Sequence, residues 1–389
     1  MIGVFSGAPG GGGHPLPRTV HLWVTRRTRT RGAGGVGLDV RVLREGTGIA
    51  WQRSGSLSVA DLAALRQGVA DLHRWSAGVG LTEKTARNTV ARVGRLLRSR
   101  TLGTTGTGLL EDLDPTALLI GVDETLAAIP WELMPAVAVD GPFVATTPVG
   151  RLVSSTARPA AGRDPLVESP NVRVLVVAPA RDLAATKREL DQLVGLEGDN
   201  SGVEVEVTTL YGARATLTAL RRRLRDRDVD VLHLAGHGRF DEDAPSSAAF
   251  KLADRWLDGA ALADMPWAKP PAVVVNTSCT SARVAGGRGL VRTRDRGLPA
   301  AALGAGCAAY VGFSWPVRDH TAATFAESFY DTLFSSWEAG QAISKARAAV
   351  KPHFEAATDL AMVGAVFYGD VATGSLGDRP RPDFVAEAV

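Results

Sequence analysis

The sequence predicts an α/β protein: a mostly parallel sheet with helices on both faces, preceded by a smaller α+β N-terminal region. Three observations carry this expectation. From residue 172 onward, short apolar runs alternate with stripes of helical period. Several of those runs, such as VRVLVVA (172–178) and AVVVN (272–276), are continuously apolar, as strands covered on both faces are. Near the start, TVHLWV (19–24) and LDVRVL (38–43) instead alternate apolar and polar residues, the pattern of half-buried strands.

The 389 residues are 45% apolar and 22% charged, enough to bury a substantial core in about two or three domains. The net charge of +3 is small and gives no reason to expect direct nucleic-acid binding, which shows as a clustered basic face. Only Cys279 and Cys307 are present, too few for a disulfide framework and suited to a reducing compartment. MIGVFSGAPGGGGHPLPRTV has no charged leader or long apolar run, and no stretch of about 18 apolar residues occurs. A cytoplasmic protein without a membrane span is the expectation.

In chain order, residues 1–18 read as a disordered Gly/Pro tail, and 19–110 as the α+β N-terminal region, regulatory or a degenerate half. Leu62, Leu65, Val69, Leu72 and Trp75 mark one helix, opened by a Ser58/Asp61 capping box. Ala86, Val90, Val93 and Leu97 mark a second, and TLGTTGTG (101–108) reads as a loop. Residues 111–370 form the main domain. TALLIGVD (116–123) and PVGRLVSST (148–156) are strands, and 157–171 is a linker. Then come strands at 172–178, 203–210, 230–235, 272–276, 308–313 and 365–370. Helices are expected at 182–196, around Leu217, Leu220 and Leu224, and at 320–335 and 339–350. Residues 371–389 are a C-terminal tail.

Two strands run straight into a reactive residue. DVLHLA leads into GHGRF with His237, and AVVVN into TSCTSA with Cys279. In a parallel sheet the site lies beyond the carboxyl ends of the strands, so neighbouring strands would bring both side chains to one rim. A thiol with pKa near 8.5 is only slightly ionised at neutral pH; an imidazole that takes its proton makes it a nucleophile for an acyl carbon. Gly238 and Cys279 offer backbone N–H groups for the oxyanion. Each residue alone is weaker: a cysteine after a buried strand is usually packing, and Cys307 is read that way. His233, inside its strand, is read as packed, with a supporting role as the alternative. Zinc bound by His233, His237 and Cys279 is the rival chemistry. The four-residue spacing aligns ligands only on a helix, so no metal or other cofactor is expected.

HLAGHG followed by VVVNTSCTSA closely resembles the CHAT peptidases, relatives of caspases and separases. IPWELMP (129–135) and YVGFSWPVRDHTAATFAESFYDTL (310–333) add to the resemblance, RDLAATKREL (181–190) is a looser match, and the similarity spans roughly 110–370. It implies a caspase-haemoglobinase fold with a His237–Cys279 dyad, a cysteine endopeptidase acting on a protein substrate, and no catalytic metal. It implies that Asp319, in WPVRD, lines the S1 pocket, where a carboxylate would select a basic P1 residue; the alternative for Asp319 is a helix N-cap. A role in bacterial defence or regulated cell death also follows from the resemblance alone. The family's frequent TPR arrays are missing, for no repeat of about 34 residues is visible, so activation falls to residues 19–110 or to a partner or ligand. RVAGGRGLVRTRDRGLPA (283–300) reads as a mobile loop, with Arg292, Arg294 and Arg296 as candidate self-cleavage points. The competing readings are a catalytically silent interaction or scaffold module on the same fold, and a cysteine acyltransferase or other acyl hydrolase.

Overall fold

The computed structural model describes residues 18–27, 35–45, 48–80, 82–136, 141–154, 171–200, 203–241, 244–285, 296–336 and 338–372. The first half opens with β1 (Thr19–Arg26), β2 (Val36–Arg44) and β3 (Gly48–Leu57), then α1 (Val59–Ser76), α2 (Glu83–Thr101) and α3 (Gly103–Leu113), and closes with β4 (Ala117–Asp123) and β5 (Val149–Ser154). The second half runs β6 (Asn171–Ala178), α4 (Ala184–Val194), β7 (Gly198–Asn200), β8 (Val203–Tyr211), α5 (Leu217–Asp226) and β9 (Val231–Leu234). A small excursion follows: β10 (Gly238–Arg239), β11 (Ala249–Lys251), β12 (Trp256–Asp258) and α6 (Gly259–Ala263). The chain then returns through β13 (Val273–Asn276), α7 (Leu298–Gly304), β14 (Ala309–Phe313), α8 (Asp319–Ser336), α9 (Ala339–Glu355), α10 (Ala361–Gly364) and β15 (Ala365–Tyr368).

Among the described residues these strands form one 12-stranded sheet, in the order β3-β2-β1-β4-β5-β15-β14-β13-β9-β6-β8-β7, and a small β10-β11-β12 sheet. The central pairs β6–β8, β6–β9, β9–β13 and β13–β14 are parallel. Strands β9, β13 and β14 are buried throughout and β6 over its second half, which explains their continuous apolar runs, whereas β8 exposes Glu204 and Glu206. Helix α4 links β6 to β8 in one direction along the sheet, and α5 links β8 back past β6 to β9. The right-handed rule for such crossovers assigns the two helices to opposite faces.

The expected boundary at 110/111 is not a break in the sheet, because β1 pairs in parallel with β4 across it. The seam between the halves lies between β5 and β15, whose registered pair is Arg151 with Tyr368. The capping box at Ser58 and Asp61 forms as anticipated. Residues 101–108, expected as a loop, are instead the end of α2 and the start of α3. Their Gly/Thr composition has poor helix propensity. Close packing overrides it: a Cβ on Gly106 would lie 2.7 Å from the Trp51 ring, a contact only glycine allows. Val371, assigned to the tail, is buried against Gly340. Of the expected linker 157–171, residues 157–170 lie outside the described residues and Asn171 opens β6; of the expected tails 1–18 and 371–389, residues 1–17 and 373–389 lie outside them. No described helix is long and apolar enough to cross a membrane.

Candidate active site

The register of β9 against β13 pairs Val231 with Val273 and Leu234 with Asn276. His237 lies three residues beyond Leu234 and Cys279 three beyond Asn276, so the two occupy equivalent places on the same rim. The Thr277 amide donates to the Leu234 carbonyl at 3.0 Å, extending the pairing past the strand ends. Gly238 is pressed against the cysteine segment: a Cβ there would lie 2.5 Å from the Cys279 carbonyl oxygen and 2.5 Å from Ser278 Oγ. Only glycine permits this approach. The Lys251 amide donates to the His237 carbonyl. By the alternation of an antiparallel ladder, that bond leaves the Gly238 N–H outside the β10–β11 pairing.

Each side chain of the pair has another partner. His237 Nε2 meets Asp182 Oδ2 at 2.9 Å, with the histidine half-exposed and the carboxylate open to solvent. The bond to His237 holds the Asp182 carboxyl below its ordinary pKa. Cys279 Sγ donates to the Val317 carbonyl at 3.7 Å. Burial pushes the thiol up; the Val317 contact opposes this, and the carboxylates of Asp359 and Asp319 add to it. Thr280, the next residue, has a φ of 56°, a left-handed conformation uncommon outside glycine.

Asp182 escaped the sequence reading, although a signal existed. It lies four positions past the end of β6, the neighbour of β9. The strand order reverses at this pair, β8 lying on one side of β6 and β9 on the other, and ligand crevices open at such switch points. Asp359 was missed too. It is 4% exposed, accepts from the Arg318 and Ala361 amides at 2.8 and 2.7 Å, and burial raises its carboxyl. It lies in the short connection between α9 and α10, and nothing in the sequence around it marks it as close to Cys279.

The remaining candidates fall as follows. Asp319 starts α8 and spends one oxygen on the Ala185 amide in the first turn of α4, at 2.6 Å. It caps a neighbouring helix rather than its own. His233 is fully buried under α4 and α8, with Nδ1 3.0 Å from the Tyr330 hydroxyl and Nε2 2.8 Å from Glu189. Cys307 is buried. Arg296, expected on an open loop, is buried and ion-paired with Glu124 at 3.1 Å, and its carbonyl accepts from the Ala285 amide. Cleavage after Arg296 would first have to break that pair and expose the side chain. Arg292 and Arg294 lie outside the described residues. Among the described residues, no cluster of three His, Cys, Asp or Glu is arranged to hold a metal.

No curated protein sequence matches the chain. Among solved structures, the fold aligns with a chain of the Saccharomyces cerevisiae separase–securin complex, with a TM-score of 0.54 and 11% identity over 91% of this chain and 30% of that one. The protein thus spans less than a third of that chain's length. It also aligns with gingipain R of Porphyromonas gingivalis, an Arg-specific cysteine proteinase, with a TM-score of 0.44 and 10% identity over 80% and 74% of the two chains. In sequence, residues 92–359 match the CHAT domain. That span covers more than half of the 389 residues, and with its caspase-like α/β sheet the chain belongs to the CHAT-domain family.

Proposed function

We propose that the protein is a cysteine endopeptidase in which His237 is the general base and Cys279 the nucleophile. The observation that carries this is the equivalent register of the two residues past β9 and β13, with Gly238 lying against the Cys279 carbonyl. Asp182 holds Nε2 of His237 in its N–H form, which leaves the Nδ1 lone pair for the thiol proton. The thiolate adds to the scissile carbonyl, and the new oxyanion is received by the Gly238 and Cys279 N–H groups. The imidazolium then protonates the leaving amine, and water, deprotonated by the same ring, releases the acyl group from sulfur.

The thiol's raised pKa and its bond to the Val317 carbonyl describe an unactivated nucleophile. Activation by a protein partner or a small ligand fits this, and the aligned chain from yeast is itself from a separase–securin complex. A protein substrate with a basic P1 side chain would suit the Asp319 and Asp359 carboxylates near the thiol. A defence or cell-death role is part of the same proposal. Self-processing after Arg292 or Arg294 belongs to the same reading; identical intact masses of wild type and Cys279→Ala under activating conditions would remove it.

The second reading is a silent interaction module. The same unactivated thiol favours it. A peptidyl acyloxymethyl ketone separates the two. The peptidase labels at Cys279, and His237→Ala and Cys279→Ala each abolish both labelling and cleavage without loss of fold. Cleavage near the wild-type rate in either variant refutes the dyad.

A further inference from the structure

The loop after the nucleophile is held by groups that the proposed chemistry does not use. Two buried tyrosine hydroxyls donate to consecutive carbonyls in it: Tyr310 to Ser281 and Tyr368 to Ala282, both at 2.8 Å. Burial pushes the Tyr368 hydroxyl up to about 12, so it remains a donor across the physiological range. Tyr310 belongs to β14, next to the cysteine strand. Tyr368 belongs to β15, and its register partner across the seam is Arg151 of β5, in the first half.

Arg151 is buried, and all three of its guanidinium nitrogens donate hydrogen bonds. Its Nε donates to Glu132 Oε1 at 3.1 Å, its second terminal nitrogen to Glu132 Oε2, and its first to the Ala127 carbonyl at 2.7 Å and the Tyr368 hydroxyl at 3.3 Å. Glu132 lies in the IPWELMP turn, which the peptidase chemistry leaves without a role. A fixed guanidinium that donates to a phenol oxygen polarises its O–H toward the next acceptor. The run is therefore Glu132, Arg151, Tyr368, Ala282 carbonyl, three residues from the sulfur. A second tie lies at the loop's far end, where Glu124 of the first half pairs with Arg296.

We propose that Tyr368, oriented by Arg151 and Glu132, is a positioning residue for the Cys279 loop, so that the first half of the sheet sets the geometry of the nucleophile across the β5–β15 seam. A merely structural role would lower stability evenly; a positioning role loosens residues 277–285 selectively. The kinetic part of this inference rests on Cys279 being the nucleophile, whereas the loop-ordering part does not.

The test is Tyr368→Phe, which keeps the ring packing and deletes the donor. Amide hydrogen exchange followed by mass spectrometry should show residues 277–285 exchanging about five- to tenfold faster, the loss of one buried hydrogen bond, with β6 and β8 unchanged. Labelling of Cys279 by a peptidyl electrophile should slow by a similar factor in its maximal rate, with reagent affinity kept. Wild-type exchange in 277–285 overturns the proposal, as does acceleration spread evenly over the molecule. Should Tyr368→Phe fail to fold, Arg151→Lys carries the same expectation, because a compact ammonium lacks the planar fork that spans both Glu132 oxygens and the Tyr368 hydroxyl. If wild type does not label at all, the peptidase reading fails while the exchange comparison still decides the loop anchor.

Discussion

At Cys279 the surroundings oppose ionisation. Burial raises the thiol pKa, and the Asp359 and Asp319 carboxylates add to this against the contact with Val317. Alkylation by iodoacetamide should therefore show a pH midpoint above that of free cysteine, about 8.5, and Asp359→Asn should lower it. A wild-type midpoint at or below the free value would contradict this account of the unactivated thiol. Gly238 is the second residue where a single atom decides. Its missing Cβ is what admits the Cys279 carbonyl and Ser278 Oγ at 2.5 Å. Gly238→Ala should leave the fold intact by circular dichroism while reducing peptide cleavage at least about tenfold, equivalent to roughly 1.4 kcal/mol in the barrier. Cleavage within twofold of wild type would show that this approach is irrelevant to turnover.

The helices show which local signals survive into the structure. The capping box of α1 was legible because its chemistry is local: Ser58 Oγ accepts from the Asp61 amide, and the Asp61 carboxylate accepts from the Ser58 amide. Burial alone would raise the Asp61 carboxyl, but the Ser58 amide and Arg100 outweigh it and leave it below its ordinary value. A folded pKa below the unfolded one means stability that is complete above the unfolded value and lost as pH falls through the folded value. Ser58→Ala should cost about 1 kcal/mol at neutral pH, and the difference from wild type in urea melts should shrink in strong acid, once Asp61 is protonated in both. An unchanged urea midpoint for Ser58→Ala would remove the cap from the account. Helix α3 was illegible for the opposite reason. Its support is the Trp51 ring packed on Gly106, a contact with β3 that no window of local sequence contains.

Across the whole molecule, the sheet welds the two halves. The Arg151 and Glu132 side chains are 4% and 3% exposed, and removing one partner of a buried pair leaves an uncompensated charge, costing about 3–5 kcal/mol. Glu132→Ala should therefore lower the thermal midpoint far more than loss of the exposed Lys187–Asp191 pair, which is worth about 0–1 kcal/mol. Equal effects of the two substitutions would show that the buried pair contributes no more than an exposed one. The same sheet continues across the 110/111 boundary: β1 lies between β2 and β4, and parting the chain there would bare two long strand edges.

By itself, the sequence determined the parallel α/β core, the two strand ends that carry His237 and Cys279, and the glycine beside the histidine, because apolar runs of strand length and the residues that end them are properties of adjacent positions. Only the tertiary structure decided that Asp182 bonds the His237 imidazole, that Asp319 caps α4 instead of its own helix, that Arg296 is buried on Glu124, and that Tyr368 ties the Cys279 loop to the first half. The partners are separated by 55, 134, 172 and 86 positions respectively. Contacts of that span are set by strand order and helix packing, and a chain read one window at a time contains neither.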